Sequence, residues 1–212
     1  MTDHAHDALA HKGDPSLDRL LFFSDGVFAI AITLLAIELH VPHGWDGTAA
    51  MLFRESSGML VAFGLSFAVV GVFWNAHRRL FLGMTKFTTG VFVLNLMLLG
   101  GIALMPFATV LLYSGPEGLD RFVIYLGLVS LIGVLDGLTY GYAAFVADVM
   151  RPRRHRVRQL STLMMQTLMP GACCGLSLAL FSHGAPFWVT GLLALVVAGL
   201  VSFLVWSIRR YP

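Results

Sequence analysis

Charge is what this sequence has least of. Only 12% of its 212 residues are Asp, Glu, Lys or Arg, against 57% hydrophobic, and the mean hydropathy is +0.79. A soluble domain carries roughly 25% charged residues, and half that share cannot cover a globule of this size with a water-compatible surface. The shortage excludes an ordinary soluble enzyme, and the apolar content excludes a disordered chain. Cysteine is nearly missing as well. Cys173 and Cys174 are adjacent inside an apolar run, so no disulfide framework exists and no redox compartment is implied. A net charge of +2, with arginines gathered at the ends of apolar runs, gives no footing for a nucleic-acid partner. The composition is that of an integral membrane protein.

A bilayer core of about 30 Å needs roughly 20 mostly apolar residues per helix. Six runs meet that length: Leu20–Leu39, Ser57–Trp74, Thr88–Leu112, Leu119–Ala147, Leu160–Phe181 and Pro186–Ile208. The expected fold is all-α, a polytopic bundle of six transmembrane helices over residues 19–212, preceded by a polar cytoplasmic tail at 1–18. That tail holds His4, His6, His11 and four aspartates, without the basic start or small-residue cleavage site of a signal peptide. Lys and Arg distribute twelve to two between the two sides of such a bundle. Lys12, Arg19, Arg78, Arg79, Lys86, Arg151, Arg153, Arg154, Arg156, Arg158, Arg209 and Arg210 share one side, and Arg54 and Arg121 the other. The positive-inside rule then puts both termini in the cytoplasm of a multi-pass cell-membrane protein. The run RPRRHRVR (Arg151–Arg158) reads as a topology determinant solvated among headgroups, with a lipid-headgroup or regulatory site as the sharper alternative.

The first span, RLLFFSDGVFAIAITLLAIEL from Arg19, is the unusual one. Asp25 lies about five residues inside it, ~8 Å along a helix at 1.5 Å per residue. An ionisable group at that depth is costly unless partnered and raises a functional hypothesis by default. At about 100° per residue, Gly26, Ile30, Thr33, Leu34 and Ile37 form one stripe, while Ser24 and Asp25 point away from it. Ile30, Leu34 and Ile37 taken alone are ordinary lipid-facing or packing residues. Asp25, however, has polar companions at its own depth: Ser24, the Trp74 indole, His77 and Asn95. These are expected to form a network that fixes helix packing.

The elements Arg19, Phe23, Ser24 and Asp25 (Arg-x-x-x-Phe-Ser-Asp), followed by GVFAIAITLLAIEL, resemble the transmembrane protein 175 family of potassium channels. FWNAHRRLF (Phe73–Phe81) is similar to the family's Trp-x-x-His segment, and LNLMLLGGIALMPFATVLL (Leu94–Leu112) to its third helix. The resemblance runs from Arg19 to Leu112; beyond Leu119 only the helix count matches. One repeat with one Phe-Ser-Asp resembles the bacterial branch, which implies a homotetramer, potassium as the permeating ion and a pore lined by the first helix. It also implies a hydrophobic constriction at Ile30, with further pore layers at Leu34 and Ile37 and a selectivity layer at Ile30 and Thr33. An apolar ring of that kind gates by dewetting. No cofactor is implied beyond the ion, and the partners are other copies of the chain, potassium and membrane lipids.

Several other signals are weaker. Gly137-Leu138-Thr139-Tyr140-Gly141 has the wrong order for a carbonyl-ring filter, and Gly133, Gly137 and Gly141 read as a packing face of the fourth helix. Asp136, in the same helix, is either a hydrogen-bonded core residue or a proton or cation site. The second possibility sustains an alternative, a secondary transporter or proton-conducting protein, although the inverted repeats expected of a transporter are not visible. An intramembrane hydrolase would need Ser24 and His77 as nucleophile and base. His40 and His43 lack the companions of a metal site. Glu38 is either a solvated interfacial carboxylate or a cation attractor at the pore mouth. Pro106 and Pro170 are expected to kink their helices.

Overall fold

The computed structural model describes residues 14–115, 118 and 120–150, and every regular element among them is helical. The elements are α1 (Pro15–Ile37), α2 (Ala49–Leu82), α3 (Thr89–Ala103), α4 (Met105–Ser114) and α5 (Asp120–Gly141), the last extended by a π-helical turn, Tyr142–Val146. Among the described residues, four stretches are long and apolar enough to cross a bilayer: α1, α2, α3 with α4, and α5 with its π turn. The fifth and sixth expected spans, the Arg151–Arg158 run, Pro170, Cys173 and Cys174 lie outside the described residues.

α1 begins at Pro15, within the stretch read from sequence as tail. Asp14 is the reason: its Oδ1 accepts from the Ser16 N–H at 2.9 Å, and Pro15 occupies the first turn, where a missing N–H costs nothing. The buried face is Leu17, Leu20, Ser24, Phe28, Ala31 and Leu35, spaced by three and four as a single helical stripe.

α2 is 34 residues long, about 51 Å at 1.5 Å per residue, and exceeds the expected Ser57–Trp74 at both ends. Thr48 caps it through the Met51 N–H. Arg54 and Glu55, just outside the expected span, lie on its surface as an exposed ion pair at 3.1 Å. At the far end His77, Leu80 and Phe81 remain buried, so packing carries the helix past its apolar run. Polar residues end a hydrophobic span; they do not end a helix.

The third span breaks at Leu104 between α3 and α4. Pro106 supplies no N–H for the carbonyl of residue 102, and the Leu104 N–H is shared between the carbonyls of Gly100 and Gly101 at 3.3 and 3.2 Å. Just beyond the break the hydroxyls of Thr109 and Ser66 meet at 2.7 Å and those of Ser66 and Tyr125 at 3.0 Å, joining α4, α2 and α5 in the interior.

Successive helices run up and down. Contacts at the two ends bear this out: Asp14 bonds Phe87, Thr85 bonds Val149, and at the opposite end Tyr113 bonds the Glu38 carbonyl. Arg19, Arg78, Arg79 and Lys86 therefore gather at one end and Arg54 and Arg121 at the other. Two apolar clusters fill the interior. One is built around Phe28, Leu35, Leu98, Ile102 and Met105, the other around Leu17, Leu20, Leu80, Phe81 and Val91.

Candidate pore face and the polar layer behind it

Ser24, His77 and Asn95 lie between the two apolar clusters, each at most 1% exposed. Their hydrogen bonds have one consistent direction. The Ser24 hydroxyl donates to the Leu20 carbonyl at 2.8 Å, so its oxygen is left to accept from Asn95 Nδ2 at 3.0 Å. That orients the amide, and Asn95 Oδ1 accepts from His77 Nε2–H at 2.7 Å. The imidazole is held between Phe81, stacked at 4.3 Å, and Phe28, tilted at 5.4 Å between ring centroids. Three helices are thus tied at one depth by a chain that ends on a backbone carbonyl.

Asp25 does not join this chain. It is half-buried on the neighbouring flank of α1 and accepts from the Trp74 indole N–H at 2.8 Å. The Arg78 guanidinium lies over the same indole, 5.9 Å from the ring centre. The one network expected from sequence is therefore two: a buried Ser24–Asn95–His77 relay and a peripheral Asp25–Trp74 clasp. The reason is angular, since adjacent residues on a helix point about 100° apart. Arg19 and Phe23 belong to neither; both are exposed, and Arg19 has no ion pair among the described residues. Asn95 separates Ser24 from His77, and the serine proton is committed to Leu20, so the nucleophile–base pair of a hydrolase is not assembled.

The opposite face of α1 carries the apolar stripe. Ile30 is 61% exposed, Leu34 40% and Ile37 72%, whereas Phe28 and Leu35 on the packed face are at 1%. Apart from the adjoining backbone of α1 itself, nothing lies within 4 Å of the place a Cβ would take on Gly26. Thr33 shares this face, and its hydroxyl donates to the Ile30 carbonyl at 2.8 Å. Donation back into the helix leaves the oxygen lone pairs free to accept, the polarity a cation requires. At 1.5 Å per residue, Ile30, Leu34 and Ile37 form three apolar steps spread over about 10 Å.

Asp136 is buried on α5 beside Gly133 and Gly137, inside the bundle and not on the stripe of α1. Among the described residues no three His, Cys, Asp or Glu side chains converge on a common point. Sequence reasoning missed Asp14. Besides capping α1, its Oδ2 accepts from the Phe87 N–H at 2.8 Å, the chief cause that holds this carboxyl below its ordinary 3.8. The Asp14-Pro15 pair is the local signal from which a helix start there could have been read; the contact across 73 residues has no local signal.

Residues 19–106 match the family described as "Endosomal/lysosomal potassium channel TMEM175". A potassium channel of Chryseobacterium sp. (strain P1-3) is 42% identical over 93 residues, 43% of this chain and 46% of that protein, so the alignment spans about half of that relative's length. A potassium channel of Chamaesiphon minutus is 33% identical over 147 residues, 66% of this chain and 72% of that one. The crystal structure of a lysosomal potassium-selective channel TMEM175 homolog from Chamaesiphon minutus superposes with a TM-score of 0.73 at 26% identity. That superposition covers 90% of this chain and 98% of the homolog.

Proposed function

This chain belongs to the TMEM175 family, and from that premise we propose that it is a potassium-permeable channel in which four copies place α1 around a common axis. Its family is one of potassium channels, not of enzymes, and its apolar helices make it a multi-pass membrane protein. The observation that carries the pore assignment is the outward face of α1. Ile30, Thr33, Leu34 and Ile37 are presented away from the chain's own core, while the polar layer behind them anchors the helix.

Four Ile30 side chains around an axis form a neck that offers water no hydrogen bond. Such a neck is dry when narrow and hydrated when slightly wider. The Thr33 ring, one turn further along, supplies oxygens that replace part of an ion's hydration shell. Six spans with both termini in the cytoplasm complete the arrangement, with Arg19, Arg78, Arg79 and Lys86 at the inner end.

Potassium flux from liposomes containing the purified protein tests the channel reading: fast, electrodiffusive efflux supports it, and slow proton-coupled flux or none refutes it. Topology is checked separately. An impermeant thiol reagent applied outside whole cells is expected to label a cysteine replacing His43, in the α1–α2 loop, and to spare one replacing Lys86, in the α2–α3 loop. The reverse pattern inverts the proposed orientation.

A further inference from the structure

The α2–α3 loop, residues 83–88, is bound to both of its neighbours. On one side the Phe87 N–H donates to Asp14 Oδ2 at 2.8 Å, while Asp14 Oδ1 caps α1 through the Ser16 N–H at 2.9 Å. On the other, the N–H and hydroxyl of Thr85 both donate to the Val149 carbonyl, at 2.8 and 2.9 Å, and Met84 and Met150 pair as a single β-bridge. The loop cannot slide easily between these attachments. A Cβ on Gly83 would come within 2.9 Å of the Met150 methyl, and one on Gly90 would run into the Tyr142 ring. Met84 and Val149 are buried at the join. The residues that follow α5 and its π turn are thereby connected through the loop to the N-cap of α1.

We propose that Asp14 is a positioning residue for gating: its carboxylate pins the inner end of the pore helix to the 83–88 loop, and the pin holds the Ile30 neck narrow. The inference rests on α1 being the pore wall. The carboxylate offers one acceptor oxygen to each of two N–H groups, one in its own helix and one in the loop. α1 is continuous from Pro15 to Ile37 without an internal proline, so it moves as a rod. Ile30 lies 16 residues from Asp14, about 24 Å along that rod. A small tilt at the pinned end, pivoting about the Ser24 attachment between the two, therefore reaches the neck, and a dewetted neck needs only slight widening to fill.

The test separates the pin from the cap. Asp14→Ser keeps a short oxygen for the Ser16 N–H but cannot reach Phe87; Asp14→Ala loses both contacts; Asp14→Asn keeps one acceptor. Single-channel recordings in lipid bilayers, made on protein whose assembly matches wild type, are expected to show open probability raised about three- to tenfold in Ser and Ala and less in Asn. That range corresponds to one hydrogen bond. Unitary conductance should not change, since the neck itself is unaltered. A merely structural cap predicts a different pattern, with Ser and Asn like wild type and only Ala altered. Unchanged open probability in Asp14→Ser overturns the proposal, as does failure of Asp14→Ser to assemble, because the pin would then serve folding. Should Ile30 variants also leave conductance unchanged, the pore reading itself fails; should they alter it while Asp14→Ser does nothing, only the pin fails.

Discussion

Shortening Ile30 to Ala is expected to raise single-channel conductance severalfold and to weaken discrimination between potassium and sodium. Ile30→Asn is expected to do the same by a different route. Ala widens the proposed ring, whereas Asn, with as many side-chain heavy atoms as Ile, gives water and ions partners inside it. The side chain is 61% exposed, so neither substitution opens a cavity in the packed bundle, and folding should be preserved. Thr33→Val keeps the shape and deletes the oxygen. It should therefore shift cation preference more than the rate at which the neck hydrates. Leu35 is no fair comparison, because it is 1% exposed against the other helices. Val72→Ala on α2, an exposed apolar position outside α1, is the proper one and should leave permeation as it was. Bilayer recordings decide the matter; wild-type conductance in both Ile30 variants would remove α1 as the pore wall.

The second large effect concerns stability. Asn95→Leu keeps the γ-branched outline of the side chain but leaves His77 Nε2–H and the Ser24 oxygen without their partner in a dry interior. Each orphaned group costs about 1–3 kcal/mol, so a loss of about 2–4 kcal/mol is expected once partial relaxation is allowed for. Ser24→Ala deletes only the end of the relay and should cost about 1–2 kcal/mol. Thermal unfolding in detergent, followed by the fraction remaining assembled on size exclusion, should rank the variants Asn95→Leu below Ser24→Ala below wild type. Equal melting of the two variants would mean that His77 is held by its aromatic neighbours and not by the relay. Asp25→Asn belongs to a different class. It retains an oxygen for the Trp74 indole at a half-buried site, so its effect on unfolding should fall below that of Ser24→Ala.

What the sequence determined by itself follows from local periodicity and composition. The shortage of charge required a membrane; the spacing of Gly26, Ile30, Thr33, Leu34 and Ile37 required a stripe, because a helix turns about 100° per residue whatever surrounds it. The kink at Pro106 followed from a missing N–H. The ends of α2 were not legible, since the apolar run stops at Ser57 and Trp74 while packing and caps carry the helix from Ala49 to Leu82. Nor was the division of the polar residues. Ser24 and Asp25 are neighbours in sequence, yet one enters a buried relay with Asn95, 71 residues away, and the other meets Trp74 at the periphery. Asp14 and Phe87 are joined only because α1 starts where α2 returns. Periodicity says which way a side chain points along its own helix. Which atom it meets depends on how the helices are set against one another, and that was decided by the tertiary structure alone.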